Sequence, residues 1–334
     1  STDWAGSDCT ATDSRHQRGS NPYENEVICQ GRRRPDTPLN QFDRDLSSWN
    51  VSSVNNMASM FERTRFNGSL STWDTSSVTD MRSMFAHAHF FDGAVGDWNV
   101  ERVKNMERMF AEARNFDRPL DAWNVNQVTS FRSMFENATA FDGELWREPS
   151  YTDRAITVER MFFGAEAFNR NVNMSLNSLH PSHGALEMFR SASSFDGTIE
   201  ATVPRGTALT SFFRDAEAFD QDVSGVGSRG IAGDCSSIFR GALAFNRDLN
   251  DWDVAGCTTM ESMFEHARAY NRSMHDWNVS GVTSMRSMFR NATSFDQYLS
   301  FDVASVTDIN GMFFGANAFN QHIGFVESLQ LIAD

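Results

Sequence analysis

The sequence predicts an α/β solenoid of about eleven repeats of 24–27 residues, each a short strand plus a short helix, leucine-rich-repeat-like, with a parallel sheet on one face. Two regularities predict it. A Met-Phe dipeptide or a close variant returns every 24–27 residues, and a second aromatic residue follows it six residues later in all repeats but the first. A fixed period of this length is typical of repeat architectures, in which each unit buries its apolar face against the next. The dipeptides end at Phe61, Phe85, Phe110, Phe135, Phe162, Phe189, Phe213, Phe239, Phe264, Phe289 and Phe313.

The helix of each repeat is predicted from the apolar spacing around its Met-Phe dipeptide. Within Ser76–Ala88, Val78, Met81 and Phe85 lie at i, i+3 and i+7, which is one face of an α-helix. Ser77 is placed to cap this helix, because a serine oxygen can accept a hydrogen bond from a free amide of the first turn. We therefore expect one short helix in every repeat.

The strand is predicted between the helices, in segments such as Leu46–Val51 that are too short for a second long helix and carry β-favouring residues. Parallel strands stacked about 4.8 Å apart would give an array on the order of 50 Å long. A tryptophan recurs in phase with the apolar columns, so we expect it in the core, and a carbohydrate-binding surface is the less favoured alternative. It occupies Trp49, Trp73, Trp98, Trp123, Trp252 and Trp277.

The pattern divides the chain into three parts. Residues 1–40 lack the repeat and are predicted to form an N-terminal cap, residues 41–323 form the repeat array, and residues 324–334 form a C-terminal capping helix. Phe325, Leu329 and Ile332 give that last helix an apolar face at i, i+4 and i+7. From about 146 to 235 the tryptophan column is lost and the period stretches, which indicates either drift and surface loops or partner-specific contacts.

One phrase of the repeat resembles a known family. Residues 73–85, WDTSSVTDMRSMF, return as residues 277–289, WNVSGVTSMRSMF. This phrase is similar to the repeat of BspA-like leucine-rich-repeat surface proteins, and the similarity extends over roughly residues 41 to 325. The resemblance implies a cell-surface or secreted protein with adhesion to host or matrix proteins as its style of function. It brings no shared catalytic residues.

The four cysteines form two candidate pairs. Cys9 and Cys29 lie in the non-repetitive N-terminal segment, where a disulfide would hold a cap over the first repeat. Cys235 and Cys257 occupy inward-facing columns of adjacent repeats, so a disulfide between repeats is predicted there. Two buried free thiols are the alternative for that second pair.

Two further sets of residues recur in the repeat. Asn-x-Ser/Thr sequons, which would accept glycans in a secreted protein, occur at Asn50, Asn67, Asn137, Asn173, Asn271, Asn278 and Asn291. An acid or amide follows each second aromatic, and its carbonyl and carboxylate oxygens predict either a ladder of turn hydrogen bonds or, less favoured, a Ca²⁺ site centred on Asp92, Asp117 and Asp142. The whole column is Asp43, Asn67, Asp92, Asp117, Asp142, Asn169, Asp196, Asp220, Asn246, Asn271, Asp296 and Asn320.

Several classes of protein are disfavoured. The net charge of −15 argues against nucleic-acid binding, and no apolar run reaches the roughly 18 residues that a transmembrane helix needs. The sequence predicts no enzyme, no cofactor and, beyond the weak calcium column, no metal. The histidine pairs His87 with His89 and His180 with His183 lack Cys or acidic partners at ligand spacing, so we expect surface residues there.

Two functions fit these observations. The first is an extracellular module that binds protein or glycan partners. The second is a structural subunit that assembles with copies of itself into a filament or coat. For assembly, the candidate contacts are a basic cluster near the N-terminus and the apolar face of the C-terminal helix, which comprise Arg32, Arg33, Arg34, Phe325, Leu329 and Ile332.

Overall fold

A computed structural model describes residues 41–146, 155–174, 176–180, 184–199 and 202–322. By its contacts the chain divides into two units, Ser1–Asn40 and Gln41–Asp334, and all described residues belong to the second. Turns and extended segments make up most of this unit. Its regular elements are a 3-10 helix at Leu176–Ser178, the α-helix α1 at Ser224–Gly227, and the strands β1 at Ala232–Asp234 and β2 at Gly256–Thr259.

Successive repeats are joined by parallel backbone pairing, most often at the position five residues before the Met-Phe phenylalanine. β1 and β2 pair in parallel, with Gly233 opposite Cys257. Elsewhere the pairing consists of single parallel bridges. These bridges run through Asn56, Asp80, Asn105, Ser130 and Thr157, and later through Thr259, Ser284 and Asp308.

The Met-Phe segment forms a chain of turns and not the predicted helix. In the repeat that contains Phe85, the amides of Met84, Ala86 and Ala88 donate within the repeat to the carbonyls three residues earlier. The alternate amides, those of Met81, Ser83, Phe85 and His87, donate to carbonyls of the next repeat at 2.7–3.0 Å. Every second amide therefore serves a local turn and every other one joins two repeats.

Left-handed backbone explains why a helix cannot form here. Ser83 has φ of 53° and His87 has φ of 58°. The same two positions have positive φ in all the repeats, from Ser59 to Gly315. An α-helix requires φ near −63° throughout, so two left-handed residues four apart break it. The prediction of one short helix per repeat is wrong, and Ser77 caps no helix. Instead, the Asp80 carboxylate accepts the amide of Arg82 at 3.0 Å in a local turn.

The predicted strand segments also form turns. In Leu46–Val51 the amide of Trp49 donates to the carbonyl of Leu46 at 3.0 Å, and the following residues turn again. The parallel pairing lies instead at positions such as Asp80, inside the segment assigned to the helix. The assignment of strand and helix within the repeat is therefore wrong, although the period itself is the one along which the chain pairs.

Two columns of stacked aromatic rings fill the core. Rings of the Met-Phe column are stacked at centroid distances such as 5.4 Å for Phe61 and Phe85, and rings of the second aromatic column at distances such as 5.9 Å for Phe91 and Phe116. Within a repeat the two rings approach more closely, to 3.8 Å for Phe85 and Phe91. A buried Phe stabilises the fold by about 1.5–3 kcal/mol, and offset stacking contributes about 0.5–1.5 kcal/mol more.

The tryptophans lie in the core, as the sequence predicts, except for Trp49, which is 52% exposed. Trp73 and Trp98 are stacked at 6.3 Å. The indole nitrogen of each buried member reaches back to a carbonyl of the preceding repeat, as Trp98 Nε1 does to Leu70 at 3.1 Å. These indoles are therefore occupied in joining repeats and offer no carbohydrate-stacking face.

Candidate functional site

The Asp/Asn column forms a hydrogen-bond ladder along the whole described array. The Oδ1 atom of Asp92 accepts the backbone amide of Asp117 at 3.1 Å, and Oδ1 of Asp117 accepts the amide of Asp142 at 2.8 Å. The same bond links every neighbouring pair of the column from Asp43 to Asn320. The predicted ladder is present, but it joins adjacent repeats and not atoms of one turn.

The ladder leaves few carboxylate oxygen atoms free to bind a calcium ion. Besides the Oδ1 bond, the second oxygen of Asp92 pairs with Arg118 at 2.6 Å, and that of Asp142 pairs with Arg170 at 2.8 Å. Ca²⁺ prefers six to eight oxygen ligands, whereas these carboxylates are already bound to an amide and a guanidinium. Among the described residues the column forms no cluster of three ligand groups.

Cys235 and Cys257 form the disulfide that the sequence predicts. Both residues are buried, with their Cα atoms 5.7 Å apart, and they join adjacent repeats at the pairing of β1 with β2. Cys9, Cys29, Arg32, Arg33 and Arg34 lie outside the described residues, as do Phe325, Leu329 and Ile332 of the predicted C-terminal helix.

The sequon asparagines divide by exposure. Asn50, Asn67, Asn173 and Asn278 are exposed, and Asn137, Asn271 and Asn291 are half-buried. In Asn50 and Asn278 the side-chain oxygen accepts a hydrogen bond from the serine hydroxyl of its own sequon at 2.8 Å. Glycan attachment at these positions stays a prediction.

A column of charged side chains lies immediately after the Met-Phe dipeptides. The amide of Ser191 donates to the carbonyl of Arg214 at 2.7 Å, and that of Asp215 donates to the carbonyl of Arg240 at 2.6 Å, which places successive members side by side. Two phenylalanines bound the charges: Arg190 lies 5.2 Å from the Phe163 ring, and a guanidinium also lies over the ring at the far end. We call this the arginine column; it contains Phe163, Arg190, Arg214, Arg240, Glu265, Arg290 and Phe314.

The centre of the arginine column concentrates positive charge. Burial lowers the pKa of the Arg214 guanidinium below its usual value, and repulsion from Arg190 and Arg240 lowers that pKa further, against a smaller opposite effect of Asp215. Each arginine also has a carboxylate partner: Asp215 lies 3.3 Å from Arg214 Nε, Glu187 lies 2.5 Å from Arg190 Nη1, and Glu265 lies 3.4 Å from Arg240 Nη1. Nε of Arg190 is buried and has no hydrogen-bond partner among the described residues. A bound anion would reduce the repulsion between the guanidiniums and accept a hydrogen bond from Arg190 Nε.

On one side of the arginine column, arginine and glutamate side chains form a network of ion pairs. Arg160 pairs with Glu136 and Glu187, each at 2.8 Å, and lies 4.0 Å from the Phe163 ring. A depression of about 360 Å³ opens next to Arg160, with further arginine and glutamate side chains along its wall. Positive and negative groups therefore alternate in this part of the surface.

One group that could hold a metal ion was missed by the sequence interpretation. Glu112 of one repeat lies beside His87 and His89 of the preceding repeat, and the three ligand atoms lie within 4.8 Å of one another. The expectation that these histidines lack an acidic partner is therefore wrong. Aligning the repeats gives the signal, since Glu112 follows His87 by one period, whereas inspection of local spacing does not.

In the part of the chain that the structure describes, no helix is long and apolar enough to cross a membrane.

These features define a repeat protein in which each unit is hydrogen-bonded to the next. The family described as "Mycoplasma protein of unknown function, DUF285" matches residues 37–148, 63–175, 183–229 and 207–326. The matches cover more than half of the chain, and the chain belongs to this family. The matched ranges overlap, as expected when one family pattern aligns with several registers of a repeat. No curated protein and no solved structure matches the chain.

Proposed function

We propose that the chain is a non-catalytic, BspA-like solenoid outside the cytoplasm that binds an acidic protein or glycan along its arginine column. The observation that carries the proposal is the run of three half-buried guanidiniums, Arg190, Arg214 and Arg240, on three successive repeats. Each pairs with one carboxylate, and Arg190 Nε is left without a hydrogen-bond partner among the described residues. An anion that lies across the run would accept charge-assisted hydrogen bonds from the guanidinium donors that these pairs do not use.

The spacing of the column favours an extended partner. Neighbouring members are one repeat apart, about 4.8 Å for parallel backbone pairing. A chain that carries a carboxylate or sulfate at every residue or sugar would meet several guanidiniums at once, and each charge-assisted hydrogen bond is worth about 1.5–3 kcal/mol. The flanking Phe163 and Phe314 add apolar contact; the side chain of Phe314 is 63% exposed.

The location outside the cytoplasm is supported by the disulfide between Cys235 and Cys257, because disulfides persist mainly in oxidising compartments. The exposed sequons at Asn50 and Asn278 agree with such a compartment. The resemblance of the repeat to BspA-like surface proteins supports the same location and an adhesive role.

The test is a binding titration with three polymers: sulfated dextran, polyglutamate and neutral dextran. The Arg190→Ala, Arg214→Ala and Arg240→Ala triple variant keeps the native backbone, because alanine occupies this column at Ala86 and Ala111. We expect the triple variant to lose at least about tenfold in affinity for a charged polymer, and neutral dextran not to bind.

A control triple variant removes the same charge elsewhere, through Arg82→Ala, Arg268→Ala and Arg286→Ala, which are exposed positions outside the column. If both triple variants lose affinity equally, binding depends on overall charge and the column is not the site. If the wild-type protein binds neither charged polymer, the proposal is wrong. Preference for the sulfated or the carboxylate polymer distinguishes a glycan from an acidic protein segment.

Self-assembly is the second candidate, because the carboxylates of a second copy can meet the arginine column, although the net charge of −15 on each copy opposes association. Light scattering at low and high salt tests it. Polymers that dissolve at high salt and are absent in the arginine triple variant would identify the partner as a second copy. A monomer at every salt concentration contradicts assembly.

A further inference from the structure

The side chains of His87, His89 and Glu112 converge between two adjacent repeats. His87 and His89 belong to one repeat, and the amide of His87 donates to the carbonyl of Ala111 in the next repeat at 2.7 Å, which aligns Glu112 with His87. His87 Nδ1 and His89 Nε2 each lie 3.8 Å from Glu112 Oε2.

We propose that His87, His89 and Glu112 bind a divalent transition-metal ion, Zn²⁺ in the first instance. Two imidazole nitrogens and one carboxylate oxygen form the ligand set of open zinc sites, with a fourth position left for water or for a group of a partner. Imidazole nitrogen is a poor ligand for Ca²⁺ and Mg²⁺, which prefer oxygen, so the site is distinct in chemistry from the Asp/Asn column.

The ligand atoms must move closer together to take the ion. Ligand atoms about 2.0–2.2 Å from a tetrahedral Zn²⁺ lie about 3.4 Å from one another. The two histidine-to-glutamate separations are 3.8 Å, and all three ligand atoms lie within 4.8 Å of one another, so side-chain rotations that bring the ligand atoms closer together would complete the site. The three side chains are each about one quarter exposed, so an ion can enter and still lose part of its hydration shell.

The guanidinium of Arg114 already contacts the Glu112 carboxylate. Arg114 Nη2 lies 3.0 Å from the same Oε2 atom of Glu112, and the hydrogen bond from His87, with help from Arg114, lowers the pKa of Glu112 to about 2. A metal ion bound at this atom would replace the contacts that His87 and Arg114 make with it. The Arg114 side chain is 54% exposed and can move into solvent when the ion binds.

The fold fixes the positions of the ligands. His87 lies at a left-handed position with φ of 58°, and Glu112 occupies the equivalent position of the next repeat with φ of 57°. Because the alternate amides of both repeats are hydrogen-bonded across the array, the two Cα atoms cannot drift apart without breaking that pairing. The fold therefore holds the ligand residues close together before an ion binds. The site is separate from the arginine column.

The test is isothermal titration of the disulfide-intact protein with Zn²⁺ in a buffer free of chelators, together with Co²⁺ as a spectroscopic probe. The variants are His87→Asn, His89→Thr and Glu112→Gln. Asparagine and threonine occur at the same columns of another repeat, at Asn137 and Thr139, so the backbone tolerates them. We expect one saturable ion per chain, visible-region bands of low-coordinate Co²⁺, and at least about tenfold weaker binding in each variant.

The matched control is His266→Asn, because His266 has the same left-handed column position as His87 but belongs to no three-ligand cluster among the described residues. This variant should bind as the wild type does. Arg114→Thr should bind more tightly, since it removes the competing cation. Absence of saturable binding by the wild type would overturn the proposal, and so would variants of His87, His89 and Glu112 that bind unchanged, because the ion would then lie elsewhere.

Discussion

Replacing Tyr270 with phenylalanine should stabilise the protein. Tyr270 is fully buried in the second aromatic column, where the other members are phenylalanines, and its hydroxyl has no hydrogen-bond partner among the described residues. Burial raises the pKa of Tyr270 well above its usual value, so the group is a neutral phenol. The hydroxyl therefore loses its hydration on folding without a compensating bond.

The magnitude follows from that lost hydration. An unpaired buried hydroxyl costs about 1–3 kcal/mol. Phenylalanine keeps the ring stacking at 5.8 Å from Phe245 and 6.3 Å from Phe295, because only the hydroxyl is removed. The small space left behind offsets part of the gain, so we expect Tyr270→Phe to raise the free energy of unfolding by about 1–2 kcal/mol.

Equilibrium urea denaturation measures this change as a higher midpoint with an unchanged slope. The reverse substitution in the same column, Phe245→Tyr, is the matched control and should lower the free energy of unfolding, because it buries a hydroxyl in the same stack of rings. If Tyr270→Phe were destabilising, the hydroxyl would have a partner, such as a buried water, and the reasoning would be refuted.

Three other perturbations test the contacts between repeats. Removing the disulfide by Cys235→Ala with Cys257→Ala should lower the free energy of unfolding by about 3 kcal/mol, because the unfolded chain without this cross-link has more conformational entropy; a reducing agent should lower the melting temperature of the wild type more than that of this variant. Asp117→Ala should cost about 1 kcal/mol through the lost ladder bond to the next amide, whereas Asp117→Asn, which keeps the oxygen, should be nearly neutral; equal effects in denaturation would contradict the ladder. Glu112 has its pKa lowered from 4.5 to about 2, so its ionised form stabilises the fold above pH 4.5 and this contribution disappears as the pH falls to about 2. After solvent screening we expect about 1 kcal/mol, seen as a stability difference from Glu112→Gln that vanishes between these pH values; a difference independent of pH would be the contrary result.

The sequence predicts the period and the core but not the conformation within a repeat. Burial at Val78, Met81, Phe85 and Ala88 is correct, yet the same spacing arises from overlapping turns whose amides are bonded alternately to the same repeat and to the next. Hydrophobic spacing cannot distinguish an α-helix from these overlapping turns, because both conformations bury every third or fourth residue.

A signal for the turns does exist in the sequence. Glycine, asparagine and aspartate, the residues that most readily adopt left-handed backbone, recur in the column of His87. They stand at Asn137, Gly164, Asp215, Gly241, Asn291 and Gly315, all of which have positive φ. The arginine column and the metal cluster could not be found from local spacing, since each joins residues one period apart, and their partners become visible only when the repeats are aligned.

The left-handed turns are the central claim, because they set the register that brings Arg190 beside Arg214 and His87 beside Glu112. Far-ultraviolet circular dichroism of the purified protein tests them most directly. The described residues contain one α-helix, Ser224–Gly227, and we predict a helix content below about a tenth. A spectrum that indicates α-helix in a third or more of the residues would contradict this account. It would favour the strand-and-helix repeat that the apolar spacing alone predicts.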